Sequence, residues 1–323
     1  MPKVSVVVAA YNMARYLPYT IESVISQDYQ DFEFIILDDG STDTTAEVIR
    51  SYSDRIEYHY QENAGVAEAC SRVITLARGD YLHLLDADDA LLPGALTRNV
   101  EMLEANPTAA IAYSDALIID SDNHVTGRRT APLWMSKSEL VPSARAFREL
   151  LHGCHITNST VMIRRSVAES MPLFQAHAVP GEDWDLWLRI SAEHDLAYTR
   201  QPLGAYRVHN SSITSGYTVE MVADSHFRTI DRLFYQKDFR YKHLKSYAYA
   251  CVERTVARVA ARLRQRTEFA GYFADSLRRS PQLAFEHDTW AAAFDGAKTL
   301  VPRPVINAGR TVKRGVLQKR GAA

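Results

Sequence analysis

The sequence predicts an α/β protein: a mostly parallel central sheet with helices on both faces, followed by a C-terminal helical region. Three observations carry that prediction. Short β-branched runs alternate with helical patterns from Val4 to Leu85. The connecting helices are long enough for right-handed crossovers between parallel strands. Polar residues gather where those strands end, and sheets of this kind bind ligands beyond the carboxyl ends of their strands.

The elements follow in order. Val4–Ala10 reads as a buried strand, and Tyr16–Gln27 as a helix with Leu17, Ile21, Val24 and Ile25 on one face. Phe32–Leu37 is a second strand, and Thr42–Tyr52 a helix capped by Ser41 or Thr42. Ile56–Tyr60, Val66–Ala77 and Tyr81–Leu85 continue as strand, helix and strand. The rhythm then loosens: strands are expected at Ile111–Ile119 and Ser159–Ile163, and helices at Ala144–Leu151 and Trp184–Ala192. Beyond Thr218 the pattern is helical nearly throughout, with an apolar stripe of Val252, Val256, Val259, Ala260 and Leu263. This divides the chain into a first half at 1–108, a second half of the same domain at 109–218 that receives a second substrate, and a helical region at 219–323.

Composition narrows the class. Hydrophobic residues make up 46% of the 323, and the formal net charge is -2, which does not suggest nucleic acid as a partner. Cys70, Cys154 and Cys251 are far apart and odd in number, so neither a disulfide framework nor a zinc site is expected, and a reducing cytoplasm fits. No run of about 18 apolar residues is present to span a bilayer. After Asp295 come Lys298, Arg303, Arg310, Lys313, Arg314, Lys319 and Arg320 with no acid, which points to peripheral contact with an anionic membrane or to an ordinary solvated tail.

Three strand ends carry the chemistry. Asp86-Ala87-Asp88 sets two carboxylates two residues apart just past a strand, a pattern suited to a hard divalent cation such as Mg²⁺ or Mn²⁺ shared with substrate phosphates. The same residues also suit an acidic turn capping the next helix. In Asp38-Asp39-Gly40-Ser41-Thr42-Asp43, turn and cap roles explain Gly40, Ser41 and Asp43. Two adjacent carboxylates remain, and a donor or cation beside Asp39 would account for them. Glu182-Asp183 starts an amphipathic helix, where acids favour the N-terminus; a functional carboxylate there would act as general base. Arg207 offers a guanidinium for phosphate and His209 an imidazole for metal or phosphate, although a lone His after a strand is commonly structural. Asn158-Ser-Thr and Asn210-Ser-Ser match a glycosylation acceptor pattern, which a non-secreted chain would not use.

Together, Pro2-Lys-Val-Ser-Val-Val-Val-Ala-Ala-Tyr-Asn12, Ile36-Leu-Asp-Asp-Gly-Ser-Thr-Asp43, Asn63-Ala-Gly65, Ala77-Arg-Gly-Asp-Tyr81, Leu85-Asp-Ala-Asp-Asp89, Gly181-Glu-Asp-Trp184 and Tyr206-Arg-Val-His209 resemble the family-2 inverting glycosyltransferases of GT-A fold, particularly those that build bacterial surface polysaccharides. The ordered set is far more specific than any of its parts. The resemblance implies a nucleotide-sugar donor, UDP first among the nucleotides, and a saccharide or lipid-linked saccharide acceptor. It implies that Ala9 and Tyr11 line the base pocket and that Asp39 accepts the ring N–H. Asp86 and Ala87 would lie against the donor, Arg207 near its phosphates, and Asp88, with Asp86 and His209, on the metal. Asp183 would be the general base.

Two departures bear on those implications. Cys70-Ser71 stands where the family often has Arg-Asn, and the Q-x-x-R-W motif of processive synthases is missing, which favours one sugar per encounter. A non-catalytic nucleotide-sugar-binding protein of the same fold is the competing expectation; it predicts loss of the metal acid or the base, and Asp88 and Asp183 are both present. A dinucleotide-dependent dehydrogenase would need G-x-G-x-x-G after the first strand, where the chain reads Ala9-Ala-Tyr-Asn-Met13.

Overall fold

The computed structural model describes residues 1–132, 137–209 and 216–298. The sequence after 298, with most of the basic tail, and the Asn210-Ser-Ser pattern lie outside them. The chain divides into two compact units, Met1–Gly216 and Tyr217–Ala323.

The first unit is built on one sheet. Its opening strands and helices are β1 (Val4–Ala10), α1 (Leu17–Ile25), β2 (Phe32–Asp39), α2 (Thr45–Arg50), β3 (Glu57–Gln61), α3 (Val66–Leu76), β4 (Tyr81–Leu84), the short β5 (Ala90–Leu91) and α4 (Ala95–Ala105). They are followed by β6 (Ala109–Ile119), β7 (Val125–Arg129), β8 (Glu139–Val141), α5 (Ser143–Leu150), β9 (Met162–Arg164), α6 (Arg165–Ser170), α7 (Glu182–Glu193) and β10 (Asp195–Arg207). The sheet runs β3-β2-β1-β4-β9-β6-β10-β5, with β7 on β6 and β8 on β10.

The first four strands in space are parallel, as their crossover helices require. The second half is mixed: β9 runs antiparallel to both β4 and β6, while β6 and β10 are parallel. One sheet therefore joins the two halves, and the carboxyl ends of β1, β2 and β4 open on the same edge.

Burial explains the choice of elements. Val4, Val6 and Val8 of β1 and Leu17, Ile21 and Val24 of α1 are fully buried in one cluster with Phe34, Ile36 and Leu96. Each such side chain contributes about 1.5–3 kcal/mol relative to exposure. At Gly79 an added Cβ would lie 2.6 Å from the backbone nitrogen of Ser5, so the chain enters β4 where only glycine fits.

Two expectations shift for local reasons. The second helix begins at Thr45 rather than Thr42, because Asn12 Oδ1 accepts from the amides of Thr42 and Asp43, and Asp43 Oδ1 accepts from Thr45 N. Those bonds tie the loop after β2 to the loop after β1. The strand expected at Ser159–Ile163 is a 3-10 turn at Asn158–Thr160 followed by β9, because Thr160 N and Oγ1 both donate to Thr157 O.

His83 on β4 is fully buried; its Nε2 lies 3.2 Å from Ser159 O and its Nδ1 has no partner. Burial pulls its pKa down to about 4. The folded chain therefore keeps His83 neutral while the unfolded chain takes up a proton near pH 6.5. Stability from this site is complete above pH 6.5 and lost as pH falls to 4, by about 3 kcal/mol over that window. His83→Met is expected to lose about 2–3 kcal/mol less stability than wild type between pH 7 and 4.5 in urea titrations. Equal losses in both proteins would refute the assignment.

The second unit is helical: α8 (Val219–Tyr235), α9 (Lys245–Leu263), α10 (Arg266–Arg279) and α11 (His287–Lys298). Thr218 Oγ1 caps α8 by accepting from Met221 N. On α9, Val252, Val256 and Ala260 are buried, whereas Leu263, expected on the same stripe, is 47% exposed at the helix end. The buried Arg254 pairs with Glu286 at 3.0 Å, and Arg279 with Glu253 at 2.7 Å. No helix among the described residues is long and apolar enough to cross a membrane.

Candidate active site

The crevice at the carboxyl ends of β1 and β4 is lined by Ala9, Cys70, Leu85, Asp86, Asn158 and Phe174. Tyr11, just past β1, is 44% exposed, so its ring is open to a ligand.

The adjacent acids of β2 point to opposite faces of the sheet, which removes the repulsion expected of them. Asp38 is fully buried, with Ser41 N donating to Oδ1 at 2.9 Å and the Tyr58 hydroxyl to Oδ2 at 3.3 Å. Asp39, 3% exposed, accepts from Gln61 Nε2, Ala64 N and Gly65 N. Gly40 makes this geometry possible: its φ is +73°, and a Cβ there would lie 2.6 Å from Asn63 N. The loop before α3 can thus press over Gly40 and aim two amides at Asp39.

The acidic loop after β4 is held from several directions. Asn158 Nδ2 donates to Asp86 Oδ1 at 2.8 Å, and Ser159 Oγ accepts from Asp86 N and donates to Asp89 Oδ2 at 2.5 Å. Thr20 Oγ1 lies 3.0 Å from Ala87 O and 2.7 Å from Asp89 O. The Ala87 side chain is 5% exposed and packs in the core, so a donor contact expected of it is limited to backbone. Burial and the neighbouring Asp88 charge push Asp86 up to about 7, and Asp183 adds to the effect. Asp89 is raised well above the usual range by the same causes.

His209 Nε2 sits 2.8 Å from Asp88 Oδ2, with the imidazole 4.5 Å from the Tyr16 ring. These are one oxygen and one nitrogen ligand of the kind Mn²⁺ or Mg²⁺ takes alongside phosphate oxygens, and a buried acidic loop is where a cation would relieve charge. Among the described residues no group of three metal-binding side chains is gathered, and Asp86, expected on the metal with Asp88 and His209, accepts from Asn158 Nδ2 here.

Arg207 is 1% exposed. Its Nε donates to Asp88 O at 2.6 Å and its Nη1 to Asp120 O at 2.8 Å, and the guanidinium stacks on Tyr16 and Tyr19. It braces the acidic loop against β10, and only Nη2, buried without a partner, remains for the phosphate expected of it.

Asp183 is the second residue of α7, whose N-cap Gly181 has φ +117°. Asp183 Oδ1 accepts from Trp184 N at 2.6 Å, and Cys154 Sγ lies 3.5 Å from Oδ2. The helix is anchored by Trp184 Nε1 on Leu150 O and by Arg189 between Asp185 and Pro172 O. Cys70 lines the crevice beside Asp86, where burial first, and then the charges of Asp86, Glu182 and Asp39, push its thiol up.

Asn158, Ser159, Thr20, Gln61 and Cys154 were not expected at the site, and Asp89 was read only as part of the strand-end motif Leu85-Asp-Ala-Asp-Asp89. Of the unexpected residues only Asn158-Ser-Thr carried a motif, and that motif suggested glycosylation.

Residues 5–171 match the Glycosyl transferase family 2 profile. This chain belongs to glycosyl transferase family 2, a family of transferases. Among curated relatives, the putative glycosyltransferase EpsE of Bacillus subtilis is 32% identical over 65% of this chain and 74% of its own length. The Escherichia coli UDP-Glc:alpha-D-GlcNAc-diphosphoundecaprenol beta-1,3-glucosyltransferase WfaP is 28% identical over 76% of this chain and 98% of its own. An uncharacterized Rickettsia typhi glycosyltransferase is 28% identical, and the matched region spans 66% of its length. The crystal structure of S. aureus TarS 1-349 in complex with UDP-GlcNAc aligns with TM-score 0.59 at 15% identity, over 86% of this chain and 89% of that one. The mannosyltransferase PcManGT of Pyrobaculum calidifontis, in complex with GDP-Man and Mn²⁺, aligns with TM-score 0.58 at 15% identity, over 93% and 85%. At that identity the two structures establish the shared GT-A fold of the family 2 chain.

Proposed function

We propose that this family 2 chain transfers one sugar from a nucleotide-sugar, a UDP-sugar first, to an acceptor hydroxyl, with inversion and the help of Mn²⁺ or Mg²⁺. The observation that supports this most is geometric: Ala9 of β1, Asp86 of the acidic loop and Asn158 line one crevice, and in the same loop Asp88 Oδ2 lies 2.8 Å from His209 Nε2. Ala9 and Asp86 mark the donor side of that crevice in this reading.

In this reading Tyr11 stacks on the base while Asp39 accepts its ring N–H. Asp88 and His209 hold the cation, which when bound supplies positive charge beside the diphosphate leaving group. Asn158 and Ser159 keep the loop in register. Asp183 takes the proton of the acceptor hydroxyl as that oxygen bonds to the anomeric carbon. The bond to the diphosphate breaks on the opposite face, so configuration inverts in one displacement, and the nucleoside diphosphate leaves with the bonding electrons.

A thermal-shift panel of UDP, dTDP, GDP and NAD, each with and without Mn²⁺, tests the donor site. Saturating UDP with Mn²⁺ at about 100 times its Kd is expected to stabilise the protein by about 2.7 kcal/mol. No shift with any nucleotide would favour a non-catalytic member of the fold, and NMR of the product's anomeric proton tests inversion.

The acceptor is proposed to be a saccharide or lipid-linked saccharide in surface-polysaccharide or glycoconjugate synthesis, reached one sugar per encounter. Contact with the inner face of the membrane, from a cytoplasmic location, is part of the same proposal. It is supported by the acid-free basic tail and by Trp290 and Phe294, both 66% exposed one turn apart on α11. Co-sedimentation with anionic liposomes, unchanged in a chain ending at residue 298, would remove the tail from it.

A further inference from the structure

Two structures of this fold are in complex with different bases, UDP-GlcNAc in one and GDP-Man in the other. The fold therefore does not choose the base, and side chains must. Asp39 and Gln61 are register partners on the parallel β2–β3 ladder, so their side chains leave the sheet on one face.

The acceptor capacity of Asp39 is nearly filled. Its Oδ1 accepts from Gln61 Nε2 at 2.6 Å and from Ala64 N at 2.9 Å, and its Oδ2 from Gly65 N at 3.1 Å. A carboxylate offers about four lone-pair sites, two on each oxygen. Both on Oδ1 are taken, and one remains on Oδ2. Two of the three donors are backbone amides fixed by the turn over Gly40, whereas Gln61 is a side chain whose identity sets how many sites stay open.

The bases differ at the edge Asp39 would meet. Uracil and thymine present one ring N–H between two carbonyls, which needs one acceptor. Guanine presents a ring N–H and an amino N–H side by side, which a carboxylate satisfies with both oxygens at once. Cytosine presents a ring nitrogen lone pair there, which would face the lone pair on Oδ2.

We propose that Gln61 restricts the donor to a nucleotide whose base carries a single ring N–H, uracil or thymine, by occupying the oxygen of Asp39 that guanine would need. The inference rests on the reading of this crevice as a nucleotide-sugar site with the base on Asp39.

The test is calorimetric titration of UDP, dTDP, CDP and GDP, with Mn²⁺, into the full chain and into Gln61→Met, Gln61→Ala and Asp39→Asn. The wild type is expected to prefer UDP or dTDP over GDP and CDP by about 100-fold or more. Both Gln61 variants are expected to keep UDP binding within several-fold while GDP binding improves, narrowing the UDP-to-GDP ratio by about tenfold. A residue that only held the loop would weaken both nucleotides alike and leave the ratio unchanged. An unchanged ratio in both Gln61 variants, with Asp39→Asn weakening UDP, would overturn the role of Gln61 and leave the donor reading standing. UDP binding indifferent to Asp39→Asn would overturn the donor reading and this inference together. The UDP and dTDP arms show which pyrimidine the site takes, because Gln61 acts on the N–H edge they share.

Discussion

Asp183→Asn is expected to lower kcat by about 10²- to 10⁴-fold, the range for removing a positioned general base. The side chains are nearly isosteric, and the amide oxygen still accepts from Trp184 N, so the start of α7 is preserved. The helix itself is anchored by Trp184 and Arg189, which the substitution does not touch. KM for the donor and the nucleotide-induced thermal shift should therefore stay near wild type, because the lost step is proton removal from the acceptor. Steady-state kinetics beside thermal shifts separate the two effects. A kcat loss smaller than tenfold would move the base elsewhere. Glu182 is then the next carboxyl to examine, since burial and the Asp183 charge hold its pKa above the usual range.

Asp88→Asn should cost about 10²–10³ in kcat, the range for losing one preorganised electrostatic contact to the leaving group. The Mn²⁺ concentration giving half-maximal activity is expected to rise at least tenfold. The asparagine oxygen remains a weak ligand beside His209, and Arg207 still donates to the backbone carbonyl of residue 88, so the loop should keep its shape. Activity titrated with Mn²⁺ and with Mg²⁺ reads the change directly. A variant with wild-type metal response would place the cation on other groups, and a variant that melts several degrees lower would mean that Asp88 matters for folding instead.

Much of the frame was legible in the sequence because it rests on local patterns. Strands β1, β2 and β4 are largely buried runs, and the crossovers between the parallel strands leave few topologies. The strand-end acids were legible for the same reason: a strand that ends at Asp39 or just before Asp86 delivers its polar residues to one edge of the sheet.

The mixed second half was legible only in part: β6, α5 and α7 lie where a strand and two helices were expected, but the short strands and their pairing were not. Strands β5, β8 and β9 have only two or three residues, too few for any periodicity. Their direction follows from partners far away in the chain. Asn158 and Ser159 look like a glycosylation pattern in sequence, and only the antiparallel pairing of β9 with β4 carries them to Asp86 and Asp89.

The sequence by itself determined the α/β class, the ordered strand-end motifs and the acids that carry the proposed chemistry, since these depend on the period of side chains and on residue type. The tertiary structure alone decided which partner each acid has: Asp38 and Asp39 on opposite faces, Asp88 beside His209, Asp86 held by Asn158, and Gln61 on Asp39. The three pairs join residues 22 to 121 positions apart. A carboxylate's chemistry is set by the donors within about 3 Å of it, and most of those donors are brought there by folding rather than by adjacency in the chain.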